Sequence, residues 1–164
     1  MRNTKYKSGF SLIEVLIAIL LVGLAIVSLV AANSAFTMAN GAGTDLSTAE
    51  FLFEQIRELT TPLPVSDPDS TGWSHFGAET GESLADYDDL DDFDGKSFSP
   101  PISAHRDILN IFDAYSQQIT VENVNASDFE QVESDRSTNF VRVTVKIFLN
   151  SREISSASWL RARY

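Results

Sequence analysis

Phe10–Ala32 reads FSLIEVLIAILLVGLAIVSLVAA, and from Val15 to Thr44 the chain carries no charged residue. At 1.5 Å per residue a helix over these 23 residues spans about 34 Å, enough to cross a hydrocarbon core of about 30 Å. No other stretch of the 164 residues is long and apolar enough to do so. Arg2, Lys5 and Lys7 precede the run, and the next base is Arg57. This asymmetry predicts a single pass with the N-terminus in the cytoplasm and the body of the chain outside it. An ordinary secretory peptide has a shorter apolar core followed by a small-residue cleavage site.

The remainder is polar and acidic. Twelve Lys and Arg face 23 Asp and Glu, for a net charge of −11. That sign excludes a phosphate-binding surface built of clustered bases, so no nucleic-acid partner is expected. It suits solubility or the binding of cations. There is no cysteine, which excludes disulfides, thiolate metal sites and cysteine nucleophiles. No nucleophile elbow, phosphate loop, zinc-protease helix or dinucleotide fingerprint occurs, and the two histidines, His75 and His105, stand in loop-like contexts. Asn125-Ala126-Ser127 fits a glycosylation acceptor, a pattern common by chance.

Glu14 does not suit a plain anchor. A carboxylate at the centre of a membrane helix costs roughly 2.5–3.5 kcal/mol on insertion scales, so it is either solvated near the cytoplasmic interface or paired. Its surroundings, KSGFSLIEVLIA from Lys7 to Ala18, closely resemble the leader junction of type IV prepilins and type II secretion pseudopilins. The resemblance covers roughly residues 5–35. It implies cleavage between Gly9 and Phe10 by a prepilin peptidase on the cytoplasmic side, and N-methylation of Phe10. It also implies a pairing of Glu14 with the N-terminal amine of a neighbouring subunit. Cleavage would remove Arg2, Lys5 and Lys7 and leave 164 − 9 = 155 residues with a charge of 9 − 23 = −14. Physically, glycine leaves the scissile backbone open, and an unpaired carboxylate in lipid favours assembly with a cationic partner.

Beyond the membrane, Leu46, Ala49, Phe53 and Ile56 recur at three- and four-residue steps, with Leu52 and Leu59 widening the stripe. A helix over 40–61 is expected, ended by Pro62 and Pro64. Asn40-Gly41-Ala42-Gly43 is its weak point, with Thr44 or Asp45 placed to cap a restarted helix. Residues 62–107, rich in proline and glycine, read as an acidic variable loop region with short ordered pieces. Strands are expected over Tyr115–Val124, over the alternation Val141, Val143, Val145, Ile147 and Leu149, and over Arg152–Arg163 after a turn at Asn150-Ser151. The chain thus divides into a leader (1–9), the membrane half of the N-terminal helix (10–39) and an extracytoplasmic domain (40–164) whose sheet lies in 108–164. The fold class is α+β, and a long N-terminal helix on a small antiparallel sheet agrees with the pilin fold that the resemblance implies.

Asp86, Asp88, Asp89, Asp91, Asp92 and Asp94 crowd six carboxylates into nine residues. Oxygen donors at this density suit Ca²⁺. The EF-hand template fails, because placing Asp92, Asp94 and Gly95 at positions 3, 5 and 6 puts Leu90 at position 1 and Pro101 at position 12. Two readings stand: a calcium site, or an acidic turn whose Tyr87, Leu90 and Phe93 dock on the core. The string DDLDDFDG is also similar to a segment of MSHA-type minor pilins. The resemblance as a whole implies a non-enzymatic minor pilin or pseudopilin of a type IV pilus or type II secretion-like filament, held in the inner membrane until assembly. Its partners would be other pilin subunits, the prepilin peptidase and the inner-membrane assembly platform, and it requires no cofactor. The alternatives are a membrane-anchored periplasmic calcium-binding protein that never assembles, and an anchored hydrolase using the acidic loop.

Overall fold

The computed structural model describes residues 9–66 and 76–163. The bases Arg2, Lys5 and Lys7, and His75 in the loop region, lie outside the described residues. The order of elements is one long helix, α1 (Leu12–Thr60), then β1 (Ser97–Phe98), β2 (Tyr115–Asn123), β3 (Phe140–Leu149) and β4 (Arg152–Ala162). Short 3-10 turns stand at Asp91–Phe93 and Asn110–Phe112. The four strands form one antiparallel sheet in the order β1-β2-β3-β4. The chain divides into two compact units, residues 1–44 and 45–164.

In the first unit every described residue, Gly9 to Thr44, is exposed. Two of its hydroxyls are satisfied inside the helix: Ser28 donates to the Leu24 carbonyl at 2.8 Å and Thr37 to that of Asn33 at 3.0 Å. A helix for lipid must close its polar groups on itself in this way. The weak point at Asn40–Gly43 does not interrupt the helix. Thr44 donates its hydroxyl to the Asn40 carbonyl at 3.1 Å and so joins the helix instead of capping a new one. The cost of Gly41 and Gly43, about 1 kcal/mol each, is too small to break a helix of 49 residues.

In the second unit Ala49, Leu52, Ile56 and Leu59 form the buried seam of the helix. Leu46, expected on that stripe, is exposed, and Phe53 lies on its flank with its ring edge-on to Trp159 at 5.4 Å. The sheet contributes Ile119, Val121, Val141, Val143, Val145 and Ile147 to the same core. These residues alternate along β2 and β3 and face each other in register, Val121 opposite Val143 and Ile119 opposite Val145. The solvent face carries the polar partners, among them Arg142 and Glu122 at 3.0 Å and Lys146 and Glu153 at 3.2 Å.

The β3–β4 turn is made by Asn150 and Ser151, both with positive φ (49° and 65°). That is the backbone twist a two-residue hairpin requires. A bulge follows: Ile147 pairs with Ser155 and Phe148 with Glu153, leaving Ile154 as the extra residue. The helix ends at Thr60, before Pro62. Arg161 on β4 closes that end, donating to the carbonyls of Thr60 (3.0 Å) and Leu63 (2.8 Å). A cation on the last carbonyls also suits the helix dipole.

Candidate functional site

Two places in the chain carry the residues singled out above. At the N-terminus the helix begins with a cap. The hydroxyl of Ser11 accepts from the Glu14 amide at 3.3 Å, and the Ser11 carbonyl accepts from the same amide at 3.1 Å. Ser11-Leu12-Ile13-Glu14 has the S-x-x-E spacing of a capping box, a signal present in the sequence and passed over there. Glu14 therefore lies in the first turn of α1, where its charge suits the positive end of the helix dipole. Among the described residues no cation pairs with it. A side chain built at Gly9 would meet nothing within 4 Å, so packing inside the chain does not demand glycine there. Phe10 is 83% exposed and heads a predominantly apolar, exposed stretch reaching Met38.

The second place is the acidic segment. Tyr87, Leu90 and Phe93 are buried, as the docking reading expects, with the Tyr87 ring edge-on to Phe93 at 5.2 Å. The six aspartates separate into different duties. Asp86 binds Ser83, accepting from its hydroxyl at 2.6 Å and its amide at 3.0 Å. These bonds hold the Asp86 carboxyl below its ordinary range. Asp94 accepts from the Val121 amide at 2.8 Å and ties the loop to β2. Asp91 accepts from the Gly77 amide at 3.2 Å and faces Arg136 at 3.6 Å.

Asp88, Asp89 and Asp92 come together, with carboxylate oxygens within 4.8 Å of one another. Glu79 and Glu82 form a second group of the same kind with Asp92. These two glutamates lie outside the dense aspartate run and were not anticipated, since only the folding of the loop brings them back to Asp92. The Asp92 carboxylate accepts from the amides of Asp88 (3.0 Å) and Asp89 (3.3 Å) through Oδ2, and the Asp92 amide donates to Asp89 Oδ1 at 3.1 Å. Asp89, Asp91 and Asp92 are each 1–2% exposed. Burial, reinforced by the carboxylates of Asp91 and Asp92, pushes the Asp89 carboxyl up to about 9. Burial raises Asp92 and Asp94 as well.

Two buried polar side chains also escaped the sequence reading. Gln117 accepts from the Ile102 amide at 2.8 Å and donates to the Leu52 and Ile102 carbonyls at 2.9 and 3.2 Å, joining helix, loop and sheet. Asn123 donates to the Thr138 carbonyl at 3.0 Å and accepts from the Arg136 amide. On a strand that reads as alternating, a polar residue on the inner face gives no warning of what it will bond.

Residues 4–32 match the prokaryotic N-terminal methylation motif, which spans 29 of the 164 residues. The match supports a type IV prepilin-like or pseudopilin-like family. With the one long apolar helix of the described residues, it marks the chain as a membrane-anchored, single-pass protein. No curated protein and no solved structure matches the chain.

Proposed function

We propose that the chain is a minor pilin or pseudopilin, a structural and non-catalytic subunit of a type IV pilus or type II secretion-like filament. The observation that carries this reading is the methylation motif over residues 4–32, continued by a helix whose apolar surface is wholly exposed from Leu12 to Met38. In lipid such a surface is satisfied. Outside lipid it needs the same surface of other subunits, which is how a filament is built from anchored precursors. Prepilin peptidase cuts between Gly9 and Phe10, and the new amine of Phe10 is methylated. The free space around Gly9 and its lack of any packing role support a glycine kept for access to the backbone.

Assembly then places the amine of Phe10 on one subunit near Glu14 of its neighbour. Before assembly the chain sits in the inner membrane with residues 40–164 outside the cytoplasm. The test is mass spectrometry of the N-terminus of protein purified from membranes and from sheared filaments. The expected product begins at methylated Phe10, and Gly9→Leu accumulates with its leader attached. An intact N-terminus in wild-type protein from both fractions overturns the reading.

A further inference from the structure

We propose that Asp88, Asp89 and Asp92, with Glu79 and Glu82 alongside, form a binding site for one calcium ion. The inference is independent of the filament reading and extends beyond it. Three facts carry it. The first is donor geometry. Three oxygens mutually within 4.8 Å share a point no more than about 2.8 Å from each, a bound that admits the 2.3–2.6 Å of calcium–oxygen bonds.

The second is an unpartnered atom. Asp92 is 1% exposed, and its Oδ1 has no hydrogen-bond partner, while Oδ2 takes two backbone amides. Asp92 is also the one residue common to both carboxylate groups. A buried carboxylate oxygen without a donor is costly, and a cation removes that cost. The third is charge. Among the described residues Arg106 donates to the Ala85 and Tyr87 carbonyls, Lys96 stands over the Tyr87 ring and Arg136 pairs with Asp91, so the nearby cations are engaged elsewhere. No ion pair of Asp89 or Asp92 forms among the described residues, although Asp89 is 2% exposed. Buried anions of one sign without a counter-charge call for a divalent ion or a retained proton.

All donors are carboxylates, so a hard cation is selected and thiophilic metals are not. The amides of Asp88, Asp89 and Asp92 already hold two of the carboxylates in place, so little ordering remains for the ion to impose. Extracytoplasmic sites of this kind bind calcium at about 10⁻⁴–10⁻³ M.

The test uses the full chain in detergent micelles, stripped with chelator and then studied by equilibrium binding of radioactive calcium and by thermal melting. One ion per chain is expected, and the melting temperature should rise by roughly 5–10 °C at saturating calcium. Asp88→Asn, at an exposed position, and Glu82→Gln should keep the fold and weaken calcium binding on the order of tenfold. Glu130→Gln, in an exposed acid elsewhere, should leave it unchanged. No saturable binding at millimolar calcium, or binding unaltered in both Asp88→Asn and Glu82→Gln, overturns the site. Equal stabilisation by magnesium at the same concentration overturns the choice of calcium.

Discussion

Glu14 stands three residues after its cap, Ser11, at the start of a helix that otherwise carries no charge before Asp45. Replacing it with valine removes the cost of a carboxylate in lipid and keeps the helix, so insertion and cleavage should be unimpaired. On the proposed assembly, what goes is the anion that would fix axial register between subunits whose apolar faces would otherwise slide. The expected outcome for Glu14→Val is a normal membrane pool and a depleted filament fraction, read by immunoblot of sheared material. Equal incorporation would remove the assembly role of this residue. A second expectation concerns Asp89. Its carboxyl, ordinarily near 4, titrates at about 9 in the folded chain, so the fold holds a proton that the unfolded chain releases. The resulting stability is complete below pH 4 and is lost as pH rises towards 9. In chelator, the unfolding free energy of the full chain should therefore fall between pH 5 and 9, by at most about 1.4 kcal/mol per pH unit for one proton, and its melting temperature should fall with it. A flat or rising profile would show that Asp89 is ionised without any cation.

Among the elements, α1 and β2 are joined at their buried faces by the side chain of Gln117. Gln117 is fully buried and satisfies the Ile102 amide while bonding the Leu52 carbonyl. Leucine at this position keeps much of the volume and leaves the Ile102 amide buried and unpaired. Gln117→Leu should cost about 1–3 kcal/mol, measured by denaturant unfolding with an unchanged slope. The strand itself was legible, because Ile119 and Val121 alternate with Thr120 and Glu122 as a half-buried strand must. The bonding of Gln117 was not, since its partners lie 15 and 65 residues away. The same contrast holds at the ends of α1. Ser11 as a cap is a local spacing, whereas Arg161 closing the far end comes from a strand 101 residues later.

At the scale of the whole molecule, the two compact units draw on different sources of stability. The first is an apolar helix with no buried residue among those described, and lipid supplies what the chain does not. The second has its own core, with Val143 at the centre of the sheet between Val121 and Trp159. Val143→Asp places a charge there and should cost about 4–5 kcal/mol or more, enough to unfold a marginal domain. Insertion and removal of the leader should nevertheless proceed, because they engage only the N-terminal segment. Protease digestion of membranes from the mutant would reveal a degraded outer domain beside a cleaved leader. Accumulation of uncleaved protein would show instead that processing depends on the folded domain.

What the sequence alone determined follows from short-range rules. Hydrophobic length specified the anchor, period-two alternation specified β2 and β3, and the stretch from Lys7 to Ala18 carried the prepilin resemblance that the methylation motif over residues 4–32 supports. Each is a property of neighbours along the chain. Tertiary structure alone decided the rest. It divided the six aspartates among Ser83, Arg136, Val121 and the carboxylate group, and brought Glu79 and Glu82 to Asp92. The physical reason is burial. Which carboxylate loses its water, and which partner replaces that water, depends on how Tyr87, Leu90 and Phe93 dock, and composition carries no record of that.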